Sequence, residues 1–413
     1  MKKTIALVLA LALCLAAFIP AAAAKTKKKE KGDYKFTALD KKTVEITGYT
    51  GSADVLEIPE KLDKKKVTSV GDSAFMDCAT LVSVTVPEGV THLGAYAFYD
   101  CSNLESVSLP AGITEIGECT FSGCVRLKDV SLPEGITVIG KLAFGSCSAL
   151  TGISLPDSLT EIGESAFLYS GLQSISLPSK TQQIGSNAFS RCEQLKSITF
   201  SEGLAVIGDE AFSYCSSLTE VTLPDSVRTV GKNPFLFCEN LKEITVSPDH
   251  PALFVQDGVL CSRADHRLVS CPATVSAETL EIPDGVQVIG DCAFQGCRQI
   301  SRIVLPESLR TIGNGAFAGC SVQEMALPEG LVSIEDYAFM ECGLKSVTLP
   351  ESLQSIGRGV FYEFFEMETI RIPAGVTSIG EDAFNERQTL IVTKGSYAEE
   401  YCVSHNLPYT YDE

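Results

Sequence analysis

The sequence predicts a repeat solenoid of mixed α/β character, with short helical turns and a single parallel β-sheet along one side. Three observations predict it. Phe recurs in one motif at positions 75, 98, 121, 144, 167, 189, 212, 235, 294, 317, 339, 361 and 384, at gaps of 22 or 23 residues with one gap of 59. The residue five before each Phe is Val, Leu or Ile in all thirteen units, and the residue four before is Gly in all but one, where Glu335 stands. A Pro closes the preceding apolar run in most units, as at Pro87, Pro110 and Pro133. A period of this size marks stacked units that cannot bury an apolar face alone.

Each part of the unit has a mechanical reason. Leu104 to Leu109 alternates around Val107 and Leu109, which is a strand pattern. Pro110 ends that strand, because proline donates no ladder hydrogen bond. Ile113 to Ile116 gives a second short extended piece, and the Gly after it is expected to permit a backbone turn. Ala-Phe-x-x-Cys-x-x-Leu then spaces apolar groups by three, as one helical or 3₁₀ turn does. Coils stacked about 4.8 Å apart would make thirteen rungs roughly 60 Å long.

The start of the chain reads as a secretory signal over residues 1–24. Lys2 and Lys3 precede an apolar run from Ile5 to Ile19, and Ala22-x-Ala24 suits cleavage before Lys25. The run is short for a membrane span, and no second long apolar stretch follows. Residues 25–33 are Lys-rich and read as a flexible basic tether. The formal charge is −19; residues 1–24 carry +2 and residues 25–35 carry +4, leaving −25 on the rest. A body this acidic repels phosphate backbones, which excludes nucleic acid as a partner class.

The pattern resembles the bacterial BspA-like branch of the leucine-rich repeat proteins. The L-x-x-V-x-L-P, I-G-x-x-A-F and C-x-x-L segments carry the resemblance over almost the whole chain after residue 24. It implies a β-hairpin cap over residues 34–66, where Tyr34-x-Phe36 and Thr43 to Tyr49 match. It also implies a helical cap over 391–413, where Gly395-Ser396-Tyr397-Ala398 matches. Open solenoid ends expose core and need such caps. The repeats then fall into a first block, 67–246, and a second, 280–390. Members of this family are mostly secreted or surface-displayed, and some are adhesins. The resemblance therefore implies a secreted, monomeric, non-enzymatic protein that binds an extracellular protein. A spacer without a specific ligand and a glycan-binding module are the alternatives.

Residues 247–279 interrupt the period. Phe254 to Cys261, a polar turn at Arg263 to His266, and Arg267 to Cys271 predict a β-hairpin, read either as a structural cover on the side of the solenoid or as a binding edge. The run Asp257-Gly258-Val259-Leu260 is similar to a hairpin of the same family. His250, Cys261, Asp265, His266 and Cys271 are metal-ligand residue types, but they lack C-x-x-C or H-x-x-x-H spacing, so no metal and no cofactor are expected.

Fifteen Cys follow the signal, ten of them three after a column Phe. Ser170, Phe364 and Arg387 share that column, so pairing is not built in, and buried free thiols are expected. The best local disulfide candidates are Cys119 with Cys124 and Cys292 with Cys297. The four His (92, 250, 266, 405) are scattered, and no G-x-S-x-G, H-E-x-x-H or phosphate loop occurs. No catalytic residues are assigned.

The strand positions expected to face outward are Ser83, Thr85, Ser106, Ser108, Ser131, Ser154, Ser174, Ser176, Ser197, Thr199, Thr222 and Thr245, with Ser346 and Thr348 further on. They form a stripe of short hydroxyls, read either as neutral strand surface or as a flat polar platform for a ligand. Asp129, Glu220, Glu243, Glu281 and Glu324 interrupt it and bias it toward basic or neutral partners.

Overall fold

Every short strand in the repeat pairs with its equivalent one coil away, so the stack carries two parallel ladders. The computed structural model describes residues 29–362, 364 and 367–412; the secretory signal expected at 1–24 lies outside them. The first ladder joins the three-residue strands Val55–Glu57, Ser83–Thr85, Ser106–Ser108 and Asp129–Ser131, with Val84, Val107 and Val130 in one column. The second joins the two-residue strands after each Pro turn, such as Glu115–Ile116, Val138–Ile139 and Glu161–Ile162. The expected single sheet is therefore two, because each coil has two extended sides and both satisfy their backbone groups across the stack.

The third side is not the helical turn that the spacing suggested. Residues two before and two after the Phe take the left-handed region: Ser73 (φ 56°) and Asp77 (φ 58°) in one coil, Tyr96 (φ 60°) and Asp100 (φ 54°) in the next. Backbone donors alternate in role. Ala74, Met76 and Cys78 bond back three residues within the coil, at 3.2–3.3 Å. Ser73, Phe75 and Asp77 donate to the carbonyls of Ala95, Ala97 and Tyr99 at 2.8–2.9 Å. The corner is thus a ladder in its own right, with its intercoil N–H groups directed toward the C-terminal end.

Close approach, rather than a turn, explains the Gly column. A Cβ on Gly185 would stand 2.6 Å from the backbone N of Glu164 and C of Gly163 in the preceding coil. Inside, the Phe rings stack with centroids 5.1–5.9 Å apart and planes 3–21° from parallel. One run extends from Phe75 to Phe235 and a second from Phe294 to Phe384. The caps continue the column. Tyr49 lies 5.3 Å from Phe75 at one end, and Tyr401 lies edge-on at 6.4 Å from Phe384 at the other.

Tyr401 belongs to the helix Tyr397–His405, whose Ser396 cap accepts the Glu399 N–H at 3.3 Å. At the start, Lys29–Lys31 is an antiparallel strand on Tyr34–Ala38, and Lys29 pairs with Asp63 at 2.8 Å. That part of the basic segment is sheet, not free tether. The insertion also departs from expectation. It forms three strands, Leu253–Gln256, Val259–Ser262 and Arg267–Ser270, and the last pairs in parallel with Val288–Ile289. It is a coil of the stack rather than a cover on its side.

All fifteen Cys are free thiols, so neither Cys119 with Cys124 nor Cys292 with Cys297 is bridged. The column has a bonding role. Seven of the ten column thiols donate to the Phe carbonyl of the coil before, among them Cys101 to Phe75 (3.1 Å), Cys147 to Phe121 (3.2 Å), Cys192 to Phe167 (3.1 Å) and Cys238 to Phe212 (3.1 Å). In the last coil Gln388 substitutes, its Nε2 donating to the Phe361 and Phe364 carbonyls. Burial pushes the Cys192 thiol up to about 12, which keeps it protonated and unreactive.

Two outcomes are expected. Phe121→Ala removes a ring that is 0% exposed between two stacked neighbours. It should cost about 3–5 kcal/mol in urea unfolding; a loss below about 1 kcal/mol would show the column to be dispensable. Denatured, unreduced protein should react with a thiol reagent at ten or more sites and native protein at few. Six or seven disulfides found by mass spectrometry would overturn the free-thiol column.

Candidate binding face

The three-residue strands present their central residue to the core and their first and third residues outward. The hydroxyl stripe follows from that geometry. Ser106 stands in register with Ser83, Ser131 with Ser108, Ser174 with Ser197, Ser176 with Thr199, and Thr222 with Thr245. Thr85, Ser108, Ser131, Ser154, Ser174, Ser176, Ser197, Thr199 and Thr222 are exposed; Ser83, Ser106 and Thr245 are half-buried. Some hydroxyls bond along the ladder. Ser106 Oγ donates to Ser83 Oγ at 3.0 Å, Thr222 and Thr245 share a hydrogen bond of 2.8 Å, and Thr245 also reaches the Val221 carbonyl at 3.3 Å. Ser154 sits in a coil that forms no strand on this face.

The carboxylates interleave as expected. Asp129, Glu220, Glu243, Glu281 and Glu324 are all exposed, and Glu220 and Glu243 are adjacent in register. Cations flank one stretch: Lys128 and Arg126 reach the Glu105 carboxylate at 3.1 and 2.7 Å and hold its pKa below the usual carboxyl range. Ser346 and Thr348 stand where the ladder lapses. Between Glu324–Ala326 and Thr369–Arg371 no strand forms on this face among the described residues, and an open cleft of about 460 Å³ lies there, lined also by Arg302, Glu324 and Glu329.

A second surface feature escaped the sequence reading. Two residues after the Phe column, Tyr169, Arg191, Tyr214 and Phe237 follow one another on the left-handed corner. The Arg191 guanidinium lies 4.0 Å from the Tyr214 ring centroid and 5.3 Å from that of Tyr169, and Tyr214 is 4.8 Å from Phe237. Burial pushes the Tyr214 phenol up while the Arg191 charge opposes it. The signal was present as a column, but neighbouring units carry Asp, Gly and Ser there, which masked it.

The metal-type residues of the insertion hold separate posts. His250 is buried, with Nε2 3.0 Å from the Pro224 carbonyl and Nδ1 accepting the Ala252 and Leu253 N–H groups. Asp265 pairs with Arg267 at 2.9 Å, and Cys261 is buried in the core. Among the described residues, no three His, Cys, Asp or Glu side chains converge as metal ligands. Among them also, no helix is long and apolar enough to cross a membrane.

Known structures place this architecture. A leucine-rich cell surface protein of Faecalibacterium prausnitzii is 27% identical, with 92% of this chain and 98% of that one aligned at a TM-score of 0.69. The pneumococcal vaccine antigen PcpA aligns over 94% and 99% at 20% identity and TM-score 0.59. A leucine-rich repeat protein of Bacteroides ovatus aligns over 93% and 100% at 22% identity and TM-score 0.52. The last two speak to fold alone. No curated protein matches in sequence. The model of the BspA type leucine-rich repeat region matches residues 56–171, 160–253 and 271–391. Those spans take in nearly every coil of the stack, and the chain belongs to the BspA-type leucine-rich repeat family.

Proposed function

We propose that the protein is a secreted or surface-displayed, non-enzymatic binding solenoid that engages an extracellular protein through the hydroxyl face. The observation that carries this reading is the exposed ladder of Ser and Thr, in register from rung to rung and interleaved with carboxylates. Such a face offers many short donors and acceptors at a fixed spacing near 4.8 Å, and its carboxylates favour a neutral or basic partner surface. Secretion is supported by the leader at residues 1–24 and by the relative described as a cell surface protein. No aromatic side chain stands among the stripe's own positions, which counts against sugar stacking on this face.

The test replaces Ser106, Ser108, Ser131 and Ser154 together with Lys and probes arrays of extracellular proteins and of glycans with both forms. Protein capture by the parent chain that the variant loses, at an unchanged thermal midpoint, is the expected result. Exposed substitutions usually stay within about 0.5 kcal/mol each, whereas four added cations reverse the local field. Equal capture by both forms would reject this face and move attention to the Tyr169–Arg191–Tyr214 corner. Capture of glycans alone would replace the protein reading, and capture of nothing would favour a spacer.

A further inference from the structure

The stack is continuous in space but not in its bonding. Both ladders stop at the insertion: one ends at Thr229–Val230 and the other at Glu243–Thr245, and both begin again beyond it. The Phe stack stops at Phe235 and resumes at Phe294. The corner ladder stops as well. Phe212 and Tyr214 donate to the next coil at 2.8 and 2.7 Å, and that pattern returns only where Cys271 donates to Ala293 at 2.8 Å. Among the described residues, no backbone–backbone hydrogen bond joins residues up to 246 to residues from 250 onward.

The apolar interior divides at the same place. Leu253, Leu260 and Val269 pack with the first block, while Val259, Cys261, Leu268 and Cys271 pack with the second. The insertion is therefore a plate with one core on each face, which is why all four residues of Val259–Ser262 are buried. Toward the second block the plate has backbone bonds: Arg267–Ser270 pairs with Val288–Ile289, and Gly290 donates to the Leu268 carbonyl at 2.9 Å.

Side chains alone supply the polar stitching toward the first block. Arg267, held by Asp265, donates to the carbonyls of Val230 (2.7 Å) and Gly231 (3.3 Å) that a further rung would otherwise cover. Asn233 donates to the Cys292 carbonyl at 2.7 Å and accepts from Ser270 at 2.7 Å. Thr274 donates to the Leu241 carbonyl, and Lys232 pairs with Asp291 at 2.8 Å.

In a linear stack, cooperativity passes only through nearest-neighbour interfaces, so the weakest interface divides the molecule. We propose that the solenoid is two cooperative units meeting at this seam, that the insertion belongs to the second unit, and that the Arg267 and Asn233 stitches carry the coupling between them. Every other interface from Phe75 to Phe384 keeps at least one strand ladder beside the corner bonds and the ring stack; this one has only apolar contact and side-chain bonds.

Hydrogen exchange read by mass spectrometry along a urea series on the full chain tests the proposal. Peptides from residues 98–245 and from 280–392 should open at two distinct midpoints, and peptides over 259–271 should follow the second group. One shared midpoint, or insertion peptides that follow the first group, would overturn it. In the double variant Arg267→Ala/Asn233→Ala the earlier midpoint should fall and the later one stay fixed, because the later unit opens after the coupling is already gone. Movement of both midpoints together, or of neither, would also overturn it. The unsubstituted chain decides the two-unit claim by itself, so poor folding of the variant would not protect the proposal.

Discussion

The spacing between coils is the constraint on which everything else depends. The parallel ladders set neighbouring coils about 4.8 Å apart, and every column must fit that distance. A side chain on the Gly column would run into the backbone of the coil before, as the 2.6 Å approach at Gly185 makes plain. The Phe rings fit because offset stacked rings are comfortable at 5.1–5.9 Å. The left-handed residues flanking each Phe turn alternate N–H groups along the axis, so that side of the coil also bonds to its neighbour. Cys fits where a small donor is needed to reach the Phe carbonyl one coil away, and the last coil shows the requirement by using Gln388 for the same purpose.

Much of this was legible in the sequence, because columns that face the core repeat with the coil. The Phe, Gly, Cys and branched aliphatic positions announced the period and the interior. The second ladder was less visible, since its strands are only two residues long. The corner was hidden because its left-handed positions hold Ser, Tyr, Cys and Leu as readily as Asp or Asn. Those dihedrals are imposed by bonds to the next coil, not by local preference. The insertion did carry a signal. Val259, Leu260 and Cys261 are contiguous apolar residues, as are Leu268 and Val269. A strand with one wet face alternates, whereas a strand buried on both faces does not.

The outer face obeys different rules. Nothing about stacking dictates a Ser or Asp at an outward strand position beyond solubility and avoidance of crowding. The hydroxyl stripe could therefore be located from the repeat, yet its partner chemistry rests on charge and exposure alone. The ion pairs on that surface, such as Glu105 with Arg126 and Lys128, are solvent-exposed and contribute little to stability. They shape the field a partner meets rather than the fold beneath it. The corner ladder of Tyr169, Arg191, Tyr214 and Phe237 differs, since bulky residues held in the left-handed region carry backbone strain that their mutual stacking offsets.

The seam gives these surfaces a mechanical relation. The strands that carry the hydroxyl face lie on both sides of it, from Val55–Glu57 to Glu243–Thr245 and again from Ala277–Glu281 onward. A partner confined to one side meets a surface set by one cooperative unit. A partner long enough to touch both sides would bond to two bodies whose own connection lacks a backbone ladder, and its binding energy would add to the coupling between them. In a solenoid of identical interfaces no position is special in this way. Here the break in the period, the divided core and the side-chain stitches coincide, so the position along the chain at which a ligand binds decides whether it also holds the two halves together.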